Sequence, residues 1–139
     1  MRIMLDTNVL VSATLYQNSK TALALSRAMR EHTFIICTYC LEELQSVFER
    51  KFPNKTASLN SYLSKLAYEL CYTPSINSRT PNMRDEDDRP ILQAAIDAGA
   101  DAILTGDNDF HALDIEHPLI ISPADLLLGT TFSTSTLSK

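Results

Sequence analysis

At 139 residues, 45% apolar and 21% charged, the chain fits one compact domain able to bury a sizeable core. No stretch approaches the ~20 apolar residues of a membrane span, and the short N-terminal apolar run carries an acid, so neither membrane nor signal peptide is expected and a cytoplasmic location is. The net charge of −5 argues against a protein that holds nucleic acid mainly through a broad basic surface but does not exclude a nuclease, and three cysteines are too few for a disulfide framework.

The first predicted strand, Arg2–Leu5, ends on Asp6 in "MRIMLDTNVL". A poorly solvated carboxylate there costs several kcal/mol unless a helix start, a base or a metal compensates it. Residues 20–32, "KTALALSRAMREH", read as a helix with its bases late, where the dipole favours them. "TFIIC" (Thr33–Cys37) is the second strand, and Thr38 is placed to cap the helix carrying the stripe Leu41, Leu44, Val47, Phe48 and Phe52. Leu59, Tyr62, Leu63, Leu66 and Leu70 form the stripe of the next helix. The third strand is predicted at residues 71–76, followed by a charged, exposed loop over 74–89. "RPILQAAIDAGA" is a helix with Pro90 in its first turn and Gly99 at its end. Strands at 101–105 and 118–122 and a short helix capped by Ser122 complete a domain over residues 1–128. The tail 129–139 is rich in Ser and Thr and too poor in apolar residues to pack by itself.

Apolar runs without strict alternation suit strands buried on both faces, and strand–helix alternation gives an α/β domain with a mainly parallel five-stranded sheet and right-handed crossovers. In such folds ligands bind beyond the carboxyl ends of the strands. Asp6 follows the first strand; Asp107 and Asp109 follow the fourth, in "ILTGDNDF"; Glu42 and Glu43 open the helix after the second; Asp85, Glu86, Asp87 and Asp88 precede the helix that leads to the fourth. Two carboxylates ~4 Å apart repel by about 4 kcal/mol at an effective dielectric of 20. Hard divalent cations with oxygen ligands resolve that conflict, Mg²⁺ or Mn²⁺ best of all. Each acid also has a plain structural role open to it: Asp6 and Asp88 as helix caps, Asp107 or Asp109 in a turn beside Gly106, a first-turn glutamate favoured by the dipole. At about 100° per residue Glu43 borders the apolar stripe and Glu42 lies further out, which favours Glu43.

These motifs resemble those of PIN-domain nucleases, in particular the toxin components of toxin–antitoxin systems. "MLDTNVLVSA" is similar to the family's opening strand and acid, "TYCLEELQSVFERKF" to its Glu-Leu helix, and "RDEDDRPILQAAIDAGADAILTGDNDF" to its third and fourth acidic blocks; the likeness spans roughly residues 1–127. The resemblance implies a three-layer α/β/α sandwich. It implies Asp6, Glu43, Asp88 and Asp107 as catalytic, metal-holding acids, with Asp109 as a further candidate ligand. Thr7, Asn8 and Thr105 would orient those carboxylates. It implies Mg²⁺ or Mn²⁺ as cofactor, single-stranded RNA as substrate, a cognate antitoxin and a homodimer as partners. The family pattern would place a proline at position 86, where Glu86 stands.

Three other readings compete. Cys37 and Cys40 form a Cys-x-x-Cys between a strand and a helix, as a thiol redox site would; their apolar neighbours favour buried inert cysteines instead. A haloacid-dehalogenase-like phosphatase also uses an acid after its first strand, yet wants a second Asp where Asn8 stands. A non-catalytic RNA-binding module of the same fold would lack one of the four acids. His32, His111 and His117 are scattered and give no zinc spacing. Arg50, Lys51, Arg84 and Arg89 lie near the motifs, and each reads first as a solvated surface charge.

Overall fold

The computed structural model describes residues 1–76 and 80–128. Strands β1 (Arg2–Leu5), β2 (Thr33–Cys37), β3 (Tyr68–Cys71), β4 (Ala102–Leu104) and β5 (Leu119–Ile121) form one parallel sheet in the order β3-β2-β1-β4-β5. The helices are α1 (Thr7–Leu15), α2 (Lys20–Ala28), α3 (Thr38–Lys51), α4 (Thr56–Lys65), α5 (Arg89–Asp97), α6 (Asn108–His111) and α7 (Pro123–Leu128). They cover the sheet to give the expected three-layer α/β/α arrangement. No described helix is long and apolar enough to cross a membrane.

The central strands are apolar because both their faces are covered. Ile3, Met4, Leu5, Ile35, Ile36, Ile103 and Leu104 are all wholly buried. Each such side chain contributes about 1.5–3 kcal/mol relative to exposure, so the inner strands are well anchored supports for the residues at their ends. From β1 the chain steps to β2 and β3 on one side, then crosses back to β4 on the other. The order therefore reverses between β1 and β4, whose ends are in register at Leu5 and Leu104. Asp6 continues that pairing, its N–H donating to the Leu104 carbonyl at 3.2 Å.

The prediction for the third strand needs correction. The strand is Tyr68–Cys71, not 71–76, and the helix before it stops at Lys65, so Leu70 belongs to the strand and is 51% exposed. β3 is an edge strand with one uncovered side, and Glu69 on it pairs with Arg2 at 3.3 Å, so it lacks the apolar run that marks the inner strands. Thr38 is not a cap: Cys37 occupies that position without a side-chain hydrogen bond, and Thr38 instead exchanges hydrogen bonds with Thr73. The helix predicted over 20–32 ends at Ala28. Gly99 behaves as expected, ending α5 in the left-handed region at φ +67°. The tail 129–139 and residues 77–79 of the charged loop lie outside the described residues.

The rest of that loop is less exposed than predicted. Thr80 and Met83 are buried, and Arg89 holds the segment from the first turn of α5. Its guanidinium donates to the carbonyls of Thr80 (2.9 Å) and Pro81 (3.2 Å) and pairs with Glu86 at 3.0 Å. Glu86 thus has a partner at the position where a proline was anticipated. Thr80 also donates through its hydroxyl to Gln93, which in turn donates to Asp97.

Candidate functional site

Asp6 is both a helix cap and a buried acid. One oxygen accepts from the Thr7 N–H at 2.8 Å, and the other from the Thr105 hydroxyl at 2.8 Å. Its exposure is only 2%. Burial pushes the Asp6 carboxyl up to about 6; the Thr105 and Thr7 donors oppose this, while Asp107 and Glu43 add to it. Thr105 is wholly buried, and its hydroxyl also accepts the Asp107 N–H at 2.9 Å. One side chain thereby ties the acid after β1 to the turn after β4. Asp107 in turn caps α6, accepting the Asp109 N–H at 2.8 Å.

Glu43 arrives from α3. The Thr7 hydroxyl donates to it and lies 3.4 Å from the Cys40 sulfur. Glu42 is exposed on the outer side of the same helix. Thr7 and Thr105 therefore each hydrogen-bond to two acidic residues, Thr7 to Asp6 and Glu43 and Thr105 to Asp6 and Asp107. Asn8 does not: it is exposed, and among the described residues no hydrogen bond joins it to a carboxylate.

Asp88 occupies the position before α5 with helical backbone angles and makes no capping hydrogen bond, so a pure cap role does not describe it. Its Oδ2 is buried without a hydrogen-bond partner. Burial pushes its carboxyl up to about 8, reinforced by contact with the Asp107 carboxyl and by the charges of Asp6, Asp107 and Asp85. Two ionised carboxylates can only accept, so such a contact is unfavourable without a proton or a cation between the oxygens.

Carboxylate oxygens of Asp85, Asp88 and Asp109 lie within 4.8 Å of one another. Asp85 was not singled out from the sequence. The 3₁₀ turn Glu86–Asp88 brings it in: Asp85 and Asp88 are three apart, and residues three apart eclipse in that geometry. Tyr39 borders the same field; burial raises its hydroxyl to about 12, with Glu43, Asp87, Asp88 and Asp85 contributing. The loop after β3, the turn after β4, the cap after β1 and the first turns of α3 thus deliver acids to one end of the sheet.

The cysteines are free. Cys37 and Cys40 are wholly buried, and burial raises both thiols, away from the thiolate that redox chemistry requires. They pack as core.

A family model described as PIN domain matches residues 2–109. Among solved structures, a chain of the crystal structure of VapBC2 from Rickettsia felis bound to a DNA fragment from their promoter shares the fold. Its TM-score is 0.69 at 19% identity, over 88% of this chain and 98% of that one. No curated protein is significantly similar in sequence.

Proposed function

Because the chain belongs to the PIN-domain family, we propose that it is a metal-dependent endoribonuclease that hydrolyses phosphodiester bonds of single-stranded RNA. The observation that carries this reading is Asp88, a half-buried carboxyl with one buried oxygen left without a hydrogen-bond partner and facing further acids. A divalent cation fits such a donor set, because every available donor is a carboxylate oxygen. Asp6, Asp88 and Asp107 would hold it, with Asp85 and Asp109 completing or widening the site, and Glu43 would hold a second ion or orient the attacking water. When bound, Mg²⁺ or Mn²⁺ supplies Lewis acidity, making water easier to deprotonate and offsetting charge on the phosphate.

The chain's own residues do the positioning. Thr105 and the Thr7 N–H fix the plane of the Asp6 carboxylate, and the Thr7 hydroxyl fixes Glu43. The resemblance to toxin members of the family and the fold shared with a VapBC2 chain support a role as the toxin of a toxin–antitoxin pair. A cognate antitoxin, a homodimer and a cytoplasmic location belong to the same reading. The test is cleavage of a panel of single-stranded and structured RNAs with Mg²⁺, Mn²⁺ or EDTA. Cleavage of unpaired segments that EDTA abolishes is expected; failure on every RNA with either ion would overturn the reading.

A further inference from the structure

An open cleft of about 480 Å³ adjoins the acids, with Asp107 on its border. Its other walls come from α1 (Asn8, Val9, Ser12), the start of α2 (Thr21), Gly106 and Pro123. The volume falls within the range of small-ligand sites. No lysine or arginine lines it, and Asp107 would repel an anion, so it is unsuited to phosphate. The Asn8 amide and the Ser12 and Thr21 hydroxyls are neutral groups that can donate and accept, set among the apolar surfaces of Val9 and Pro123. A flat, neutral heterocycle with hydrogen-bonding edges matches that lining, and unpaired RNA bases are read through such edges.

Gly106 supplies an independent observation. Its φ is not in the left-handed region, and a Cβ built on it meets nothing within 4 Å. Neither the backbone nor the packing therefore requires glycine there. What the missing side chain preserves is the opening beside Asp107.

We propose that this cleft seats one unpaired nucleobase next to the scissile phosphate and sets the base preference of cleavage, with Asn8 and Thr21 reading its edge. The proposal rests on the nuclease reading above. Its test is sequencing of cleavage ends from a randomised single-stranded RNA pool, for the parent, Gly106→Val and Thr21→Val. Gly106→Val puts bulk into the opening, and Thr21→Val removes a hydroxyl at nearly constant shape. The parent should prefer one base at a fixed position beside the cut, and each variant should reduce or change that preference, by about tenfold in relative rate. Parent cleavage with the same preference retained in both variants would overturn the proposal and leave the nuclease reading standing. A parent that cuts with no base preference at any position would do the same. A parent that cleaves no RNA would remove both. Melting curves of the variants confirm that the comparison is made on folded protein.

Discussion

Asp6 and Asp88 are the carboxyls whose charge the fold makes hardest to keep, and their chemistry separates a structural role from a functional one. In EDTA, Asp6→Asn and Asp88→Asn remove repulsion and should hold or raise the melting temperature, while RNA cleavage is lost. A cap role for Asp88 gives the opposite pair of results, about 1 kcal/mol of lost stability with cleavage retained. A pH series adds a second check. Both acids are raised, Asp6 to about 6 and Asp88 to about 8, so the folded state binds protons more tightly than the unfolded chain. Stability then falls as pH rises from the ordinary carboxyl range near 4 towards 8, and is recovered on acidification through that window. The ion-free parent should therefore lose melting temperature between pH 4 and pH 8 more steeply than the Asp6→Asn, Asp88→Asn double variant; equal slopes would show that these acids are not strained. Asp6, Glu43 and Asp107 were legible in the sequence because each follows a strand end or opens a helix. Asp85 was not, because four successive acids carry no periodicity until the turn that folds them is known.

At the scale of elements, the site depends on how the loop before α5 is held. Arg89 was read as a surface charge, yet its side chain is only 15% exposed and fastens Thr80, Pro81 and Glu86. Its partners are backbone carbonyls brought near by tertiary packing, which no local pattern announces. Arg89→Ala should cost about 2 kcal/mol of stability and lower cleavage by releasing Asp85 and Asp88 from the other acids. Arg89→Lys, with no planar fork, should recover little of either. Thermal melting and RNA cleavage of both variants check this, and wild-type cleavage in Arg89→Ala would show that the clamp does not position the acids. Of the three inner strands, β1 and β2 were predicted to the residue because burial on both faces writes an uninterrupted apolar run. β3 was displaced for the converse reason. It is half-covered, it carries Glu69, and the helical period of the preceding segment continues by coincidence through Leu66 to Leu70.

For the whole molecule, the reversal of strand order between β1 and β4 converts a linear scatter of acids into one cluster. Asp6 and Asp107 come from the two sides of that reversal, Glu43 and Asp88 from helices that start at the same end of the sheet. The sheet and the alternation of elements were legible from the sequence, and the PIN-domain family model spans the first four strands, up to Asp109. With a net charge of −5, the proposed nuclease would draw RNA through a bound ion more than through a broad basic surface. The most direct measurement is a calorimetric titration of Mn²⁺ into the metal-free parent and into Asp88→Asn, near neutral pH. Saturable binding by the parent, with proton release and a raised melting temperature, and at least tenfold weaker binding by the variant, is the expected result. No binding heat at millimolar Mn²⁺, or equal affinity in the two proteins, would contradict a metal site built from these acids.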